Sequence, residues 1–249
     1  MTARILAAAA LLCLAARPAH AQWSVTPYIW ASSIDADVAV NGRPVVDQHI
    51  PFSDLIEDVD LALMLRAEAQ YGTVGGMIDL FHVDMSTGGT ALQLPGDVSA
   101  TLDTDIGMTV LDATGSYGLR KDGQGFAFTA GARLLAQKVT LDLGVLTSPT
   151  IADTQRFESN EVLVDAILGA RYRDRLATHW AVDARADVGT GGTKLTWSAG
   201  AEVAYAFGTT QRFAVSAGYR YLSIEYKDDT PVQASMAMSG FLTGLRIGL

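Results

Sequence analysis

The chain has 249 residues, 49% of them hydrophobic, with 27 Asp and Glu against 18 Lys and Arg and a single cysteine. A formal net charge of −9 excludes nucleic acid as a partner, since nucleic acid selects basic surfaces, and one cysteine excludes a disulfide framework. After residue 21 no apolar run approaches the roughly 18 residues that a membrane helix requires, which excludes a helical membrane protein.

The first element is MTARILAAAALLCLAARPAHA, residues 1–21. Arg4 precedes an apolar stretch from Ile5 to Ala16, and Ala19 and Ala21 flank His20. This is the plan of a secretory signal peptide cleaved after Ala21, so fold reasoning starts at Gln22. Cys13 follows Leu12 rather than a small residue, and too little apolar chain precedes it, so no lipid anchor is expected. Removing Arg4 and Arg17 takes the formal net charge from −9 to −11 and leaves a chain without cysteine.

From there the apolar residues recur with period two rather than in helical stripes, which marks strands. Ten segments emerge in chain order. Gln22–Ala31 opens the set. Leu61–Tyr71 puts Leu61, Leu63 and Leu65 on one face and Arg66, Glu68 and Gln70 on the other, and a tight Gly72–Thr73 turn leads into Val74–Met85. Asp105–Tyr117 and Phe126–Gln137 form a second pair, Glu161–Tyr172 and His179–Val188 a third, and Leu195–Phe207 and Arg212–Tyr226 a fourth. Met236–Leu249 closes the series.

The connections alternate. Those within pairs are short, whereas Ala31–Asp60, Ser86–Thr104, Lys138–Asn160 and Lys227–Ser235 are long; only Gly189–Gly192 breaks the rule. Short turns at one end and long loops at the other predict an antiparallel transmembrane β-barrel of about ten strands, or eight if the first and last segments are misread. Leu195–Phe207 carries Trp197 near one end and Tyr205 and Phe207 near the other, as interfacial girdles require. In AVDARADVG, Ala181–Gly189, Asp183, Arg185 and Asp187 alternate with small apolar residues. A spanning strand would turn those charges to the lumen, because an Arg facing lipid at mid-membrane costs about 2–4 kcal/mol. A soluble β-sandwich explains that ladder equally well, but not the strand lengths, the girdle aromatics or an end inside a strand.

A resemblance follows from five stretches: WSVTPYIWASSIDADVAVNGR, FSDLIEDVDLALMLRAEAQYG, ILGARYR, VDARADVG and GYRYLSIEY. Together they resemble a large, mostly uncharacterised family of bacterial outer-membrane β-barrel proteins, with the similarity strongest from Glu161 onward. GTGGTKLTW departs from the family pattern by shortening the loop after the seventh segment. The resemblance implies fold and location and carries no activity. GFLTGLRIGL, at the C-terminus, resembles the assembly signal of outer-membrane proteins, with Leu249 in place of the usual Phe; Phe241–Leu249 is therefore the expected contact with the barrel-assembly machinery.

Signals for chemistry are weak. His82 has Asp79, Asp84 and Ser86 as sequence neighbours near an outer rim, yet a general base also needs partners within hydrogen-bond reach. An interfacial histidine at a strand end is the better reading. His179 belongs at the opposite rim and His49 in the first loop. Asp35, Asp37, Asn41 and Gly42 only superficially match a calcium loop, with Ala39 at the third ligand position, and read better as a hairpin with an Asn-Gly turn. The glycines of GTGG do not have phosphate-loop spacing. No catalytic residue, metal site or cofactor is expected.

The first loop is acidic, with Asp47, Asp54, Glu57, Asp58 and Asp60. Phe52, Leu55, Ile56 and Val59 share one face of a short helix with Ser53 as predicted N-cap. A solvated cap over the barrel mouth is favoured over carboxylates that meet the cations bridging lipopolysaccharide.

The lumen is the one constellation that parity assembles. The first five segments after the opening one contribute Arg66, Glu68, Asp79, Asp112, Arg133, Asp165 and Arg171. The remainder contribute Asp183, Arg185, Asp187, Glu202, Arg220 and Arg246. Near-balanced charges in a narrow barrel predict an ion-pair network that plugs the lumen. The expected function is a monomeric structural or surface-interaction barrel, acting through the Ala31–Asp60 and Ser86–Thr104 loops. A passive narrow channel is the alternative, and a lipid-modifying or proteolytic enzyme the third.

Overall fold

A computed structural model describes residues 22–40, 43–56, 58–94, 98–148, 151–208, 211–227 and 232–249. The predicted leader lies outside the described residues, as do Asn41, Gly42 and Glu57. The strands are β1 (Gln22–Val40), β2 (Arg43–Ile50), β3 (Val59–Tyr71), β4 (Val74–Leu94), β5 (Val98–Gly118) and β6 (Gly125–Ser148). They continue with β7 (Ile151–Arg175), β8 (Trp180–Gly191), β9 (Leu195–Phe207), β10 (Phe213–Glu225) and β11 (Val232–Gly248). A four-residue helix, α1 (Phe52–Leu55), lies between β2 and β3.

Every strand pairs antiparallel with its neighbour, and β11 returns to pair with β1, so the sheet closes into a ten-stranded barrel of β1 and β3–β11. Closure runs from Ser24↔Gly248 to Val40↔Val232. It removes the unpaired edge that an open sheet would leave. β2 sits outside the ring and pairs with β1, from Ile34↔Ile50 to Val40↔Arg43; the predicted Asn-Gly turn itself lies outside the described residues. At one end the turns are tight: Gly72 takes φ 58°, which a two-residue hairpin turn demands and which glycine adopts without steric cost.

At the other end the chain departs from expectation. Ser86–Thr104 and Lys138–Asn160 are not loops. The β4–β5 ladder continues to Leu94↔Val98 and the β6–β7 ladder to Ser148↔Ile151, while β5 and β6 stay paired to Ser99↔Leu146. Four strands thus project together beyond the barrel rim. The cause is compositional: VSATLDTD and KVTLDLGVL are rich in Val, Leu and Thr and contain no proline. The predicted cap also changes in detail. The helix N-cap position is Pro51 rather than Ser53, whose hydroxyl donates to Asp54 Oδ1 at 2.9 Å. β3 is tied to the start of the projection by Ser86 N–H donating to Asp58 O at 3.0 Å.

The outer wall is apolar. Leu63, Phe128, Leu168 and Phe241 are exposed on successive parts of it. Near the short-turn rim Tyr71, Tyr117, Trp180 and Phe213 are exposed as well, and Trp180 packs edge-on against Tyr205 at 5.0 Å. Nearer the hairpin rim Trp197 stacks on Tyr221 at 4.6 Å. The core of the molecule therefore lies inside the ring.

Candidate functional site

The inward face of each strand changes character along its length. Toward the hairpin end lies an apolar layer: Trp30 from β1, Phe81 and Val83 from β4, Leu135 from β6, Leu222 from β10 and Met238 from β11, all buried in one cluster. Trp30 meets Phe81 edge-to-face at 5.4 Å. One step toward the short turns the same faces become charged, as where Asp79 replaces the apolar side chains of β4 and Arg220 those of β10.

Asp79 is the hub of this second layer, 2% exposed. Its Oδ2 meets Arg66 Nε at 3.3 Å, Arg185 Nη2 at 2.8 Å and Arg220 Nη1 at 3.5 Å, and its Oδ1 accepts the Tyr28 hydroxyl at 2.6 Å. Arg66 reaches on to Glu202 Oε1 at 2.7 Å. Asp112 is held in a fork by Arg133, Nε to Oδ1 at 2.7 Å and Nη2 to Oδ2 at 2.9 Å, and Arg133 Nη2 also meets Asp187 Oδ1 at 3.0 Å. Four arginines (Arg66, Arg133, Arg185, Arg220) thus face four carboxylates (Asp79, Asp112, Asp187, Glu202). Such pairing is what permits buried charge at all. Register makes the space: Arg220 lies between Gly200 and Gly240 on the adjacent strands, and a Cβ on Gly240 would stand 1.8 Å from Ala31 O. Arg220 then lies over the Trp30 ring at 5.0 Å and joins the two layers.

A second cluster sits closer to the short turns. Glu68 Oε1 meets Arg171 Nη2 at 2.5 Å and Arg173 Nη2 at 3.0 Å, and Asp183 Oδ2 meets the same two groups at 2.5 Å and 2.9 Å. Arg173 is absent from the residues picked by parity, because the predicted segment stops at Tyr172, whereas β7 runs to Arg175. Tyr28 is a further member that alternation in a charged set does not mark.

Two of the thirteen predicted lumen residues depart from the expected network. Asp165 is fully buried but makes no ion pair among the described residues; it accepts Thr193 N–H at 2.9 Å, Thr193 Oγ1 at 2.6 Å and Thr196 Oγ1 at 3.1 Å. It fastens the short β8–β9 turn. Arg246 faces inward, near the short-turn mouth, without an ion-pair partner among the described residues. Among the charged groups lie small cavities, of about 30 Å³ beside Arg185 and about 50 Å³ beside Arg246.

The histidines lie elsewhere. His82 is on the opposite face of β4 from Asp79, so its predicted company divides: Nδ1 lies 2.8 Å from Thr109 Oγ1 and Nε2 3.2 Å from Asp84 Oδ2, on the outer wall, while Asp79 points into the lumen. Ser86 donates to Asp60 instead. His49 Nδ1 lies 2.5 Å from Asp35 Oδ1 across the β1–β2 hairpin, and His179 contacts Ala206 O at 3.0 Å at the short-turn rim. Among the described residues no three His, Cys, Asp or Glu side chains converge as metal ligands.

No protein-family model matches the chain, and no curated protein does. Solved structures do. The outer membrane protease OmpT from Escherichia coli superposes with a TM-score of 0.52 at 10% identity, over 93% of this chain and 98% of that one. The fold is that of the bacterial outer-membrane β-barrels. The translocator domain of the autotransporter NalP from Neisseria meningitidis gives 0.42 at 11% identity, over 97% and 95% of the two chains. Ail, the attachment invasion locus protein of Yersinia pestis, gives 0.35 at 10%, over 91% and 99%. At these identities the likeness concerns the barrel and not its activity.

Proposed function

We propose that this chain is exported on residues 1–21, is inserted in a bacterial outer membrane by way of its C-terminal strand Phe241–Leu249, and serves there as a closed, non-enzymatic barrel. Its role is structural and surface-directed: the β4–β7 projection and the β1–β2 hairpin face outward from the rim and meet partners or lipopolysaccharide, while the lumen transports nothing. The observation that carries this reading is the double filling of the lumen. A channel for ions or small solutes needs a continuous wet path, and here an apolar layer around Trp30 and Leu222 lies across the axis behind a charge-balanced one around Asp79. The apolar outer wall and rim aromatics support the membrane setting, because only closed barrels and helices satisfy every backbone group in lipid.

Planar-bilayer conductance of the folded protein tests this, run beside a variant in which Asp183, Arg185 and Asp187 are all neutralised. Both proteins are expected to be silent, with the variant melting lower. A stable nanosiemens-scale channel in the wild type, with ion selectivity altered in the variant, would move the narrow-channel reading to first place.

A further inference from the structure

The short-turn end of the barrel opens into a vestibule of about 470 Å³, and its walls are more cationic than the rest of this acidic chain. Glu68, Arg171, Arg173 and Arg246 line it together with Arg175 and Arg212, so five arginines face three carboxylates once Asp122 and Asp174 are included. Its inner end is occupied by the second charged cluster. There Glu68 and Asp183 are each engaged by both Arg171 and Arg173. Arg246 is the third guanidinium in that space and has no hydrogen bond or ion pair among the described residues. Within that inner cluster three cations therefore stand against two carboxylates, and the surplus sits on Arg246, whose donors are uncommitted.

We propose that the vestibule binds a small oxyanion, a phosphate or carboxylate group, with Arg246 as its principal contact and Arg173 beside it. A partly desolvated guanidinium gains most from an anionic acceptor, and its planar fork matches the two oxygens of a carboxylate or phosphate. Thr26 and Ser216, both buried, border the 50 Å³ space next to Arg246 and add hydroxyl donors. The two local carboxylates cannot compete, since each already serves two arginines. Lipid is excluded as the source of the anion because Arg246 faces the lumen; the ligand arrives from solution through the short-turn mouth. The space ends at the second charged cluster. This inference stands apart from the non-conducting reading, because conductance tests the layers behind the vestibule and anion binding tests the vestibule alone.

Isothermal titration calorimetry on the full-length barrel, folded in a neutral maltoside detergent at fixed ionic strength, decides the matter with inorganic phosphate and citrate as probes. Saturable one-to-one binding of either is expected, weakened at least tenfold by Arg246→Gln, partly restored in Arg246→Lys and nearly unchanged by Arg175→Gln at the rim. Because Arg246 has no intramolecular partner to lose, Arg246→Gln should keep the wild-type melting temperature in sodium chloride, which separates loss of a site from loss of fold. Absence of heat beyond that of sodium chloride, or equal binding by wild type and Arg246→Gln, overturns the proposal.

Discussion

The charged and apolar layers of the lumen lie a few residues apart on the same strands: Asp79 is followed by Phe81 and Val83 on β4, and Arg220 by Leu222 and Ile224 on β10. They fill the same cylinder by different physics. Contacts in the apolar layer are non-directional, so neighbours can shift toward a lost group and recover part of its packing. The charged layer is directional and reaches across the ring. Arg66 on β3 meets Glu202 on β9, Arg185 on β8 meets Asp79 on β4, and Arg171 on β7 meets Glu68 on β3. One layer fills the barrel and the other cross-links its wall. Removing a member of the second leaves its partners charged, buried and unmatched.

That difference sets the order of expected losses. Asp79→Ala leaves Arg185 without its ion-pair partner, takes one of two carboxylates from both Arg66 and Arg220, and removes the acceptor of the Tyr28 hydroxyl; it is expected to lower the unfolding free energy in detergent by about 3–5 kcal/mol, the range for breaking a buried ion pair. Denaturant unfolding followed by tryptophan fluorescence measures it. The contrast sharpens in the double variant Asp79→Ala, Arg185→Ala, which restores the charge balance of the layer; it should lose less than the sum of the two single variants, since contacting residues couple. Strict additivity would mean that the layer is not an electrostatic unit.

Leu222→Ala probes the other region. With Leu222 1% exposed in the apolar cluster, the expected loss is about 2–5 kcal/mol, set by how far Trp30 and Met238 collapse into the space. The distinguishing sign is in the refilling variant. Leu222→Met should recover most of the stability, as volume-conserving apolar swaps do, whereas Asp79→Leu, apolar and larger, should not rescue the charged layer. If Asp79→Leu matched the wild type, the two layers would be equivalent fillers and the comparison would fail.

How much of this could be read in the sequence depends on what each face carries. Where one face is charged and the other apolar, as in Ala181–Gly189, the alternation gives both the strand and its orientation, and most of the ring of ten follows from such stretches. Where both faces are apolar, the alternation vanishes. Leu80 and Phe81, Val110 and Leu111, and Leu134 and Leu135 are adjacent apolar pairs with one member in the lumen and one on the outer wall, so the charged lumen residues within the predicted segments are legible and the apolar layer is not. Parity alone separates His82 from Asp79, three positions apart on one strand. The projecting hairpins were hidden for another reason. Their Thr and Val content is strand-like, but polar residues in long connections read as loops.

The smallest expected effect comes from a pair outside both layers. On the β6–β7 projection Arg156 donates to Asp142 twice, Nε to Oδ1 at 2.8 Å and Nη2 to Oδ2 at 2.7 Å. These bonds hold the Asp142 carboxyl below its ordinary range. Since the folded value is depressed, the stabilisation is fully present above the unfolded value and is lost as pH falls through the folded one. The pair is therefore intact at neutral pH and disappears only below the usual carboxylate range. A solvent-exposed ion pair contributes little to a cooperative barrel, so Asp142→Asn should leave the melting temperature unchanged. Amide hydrogen exchange at β6–β7, compared between wild type and variant at each pH, is where it shows: faster exchange in the variant at neutral pH, and no difference once the wild-type carboxylate is protonated. A variant that lowered the melting of the whole barrel would instead mean that the projection and the lumen fold as one cooperative unit.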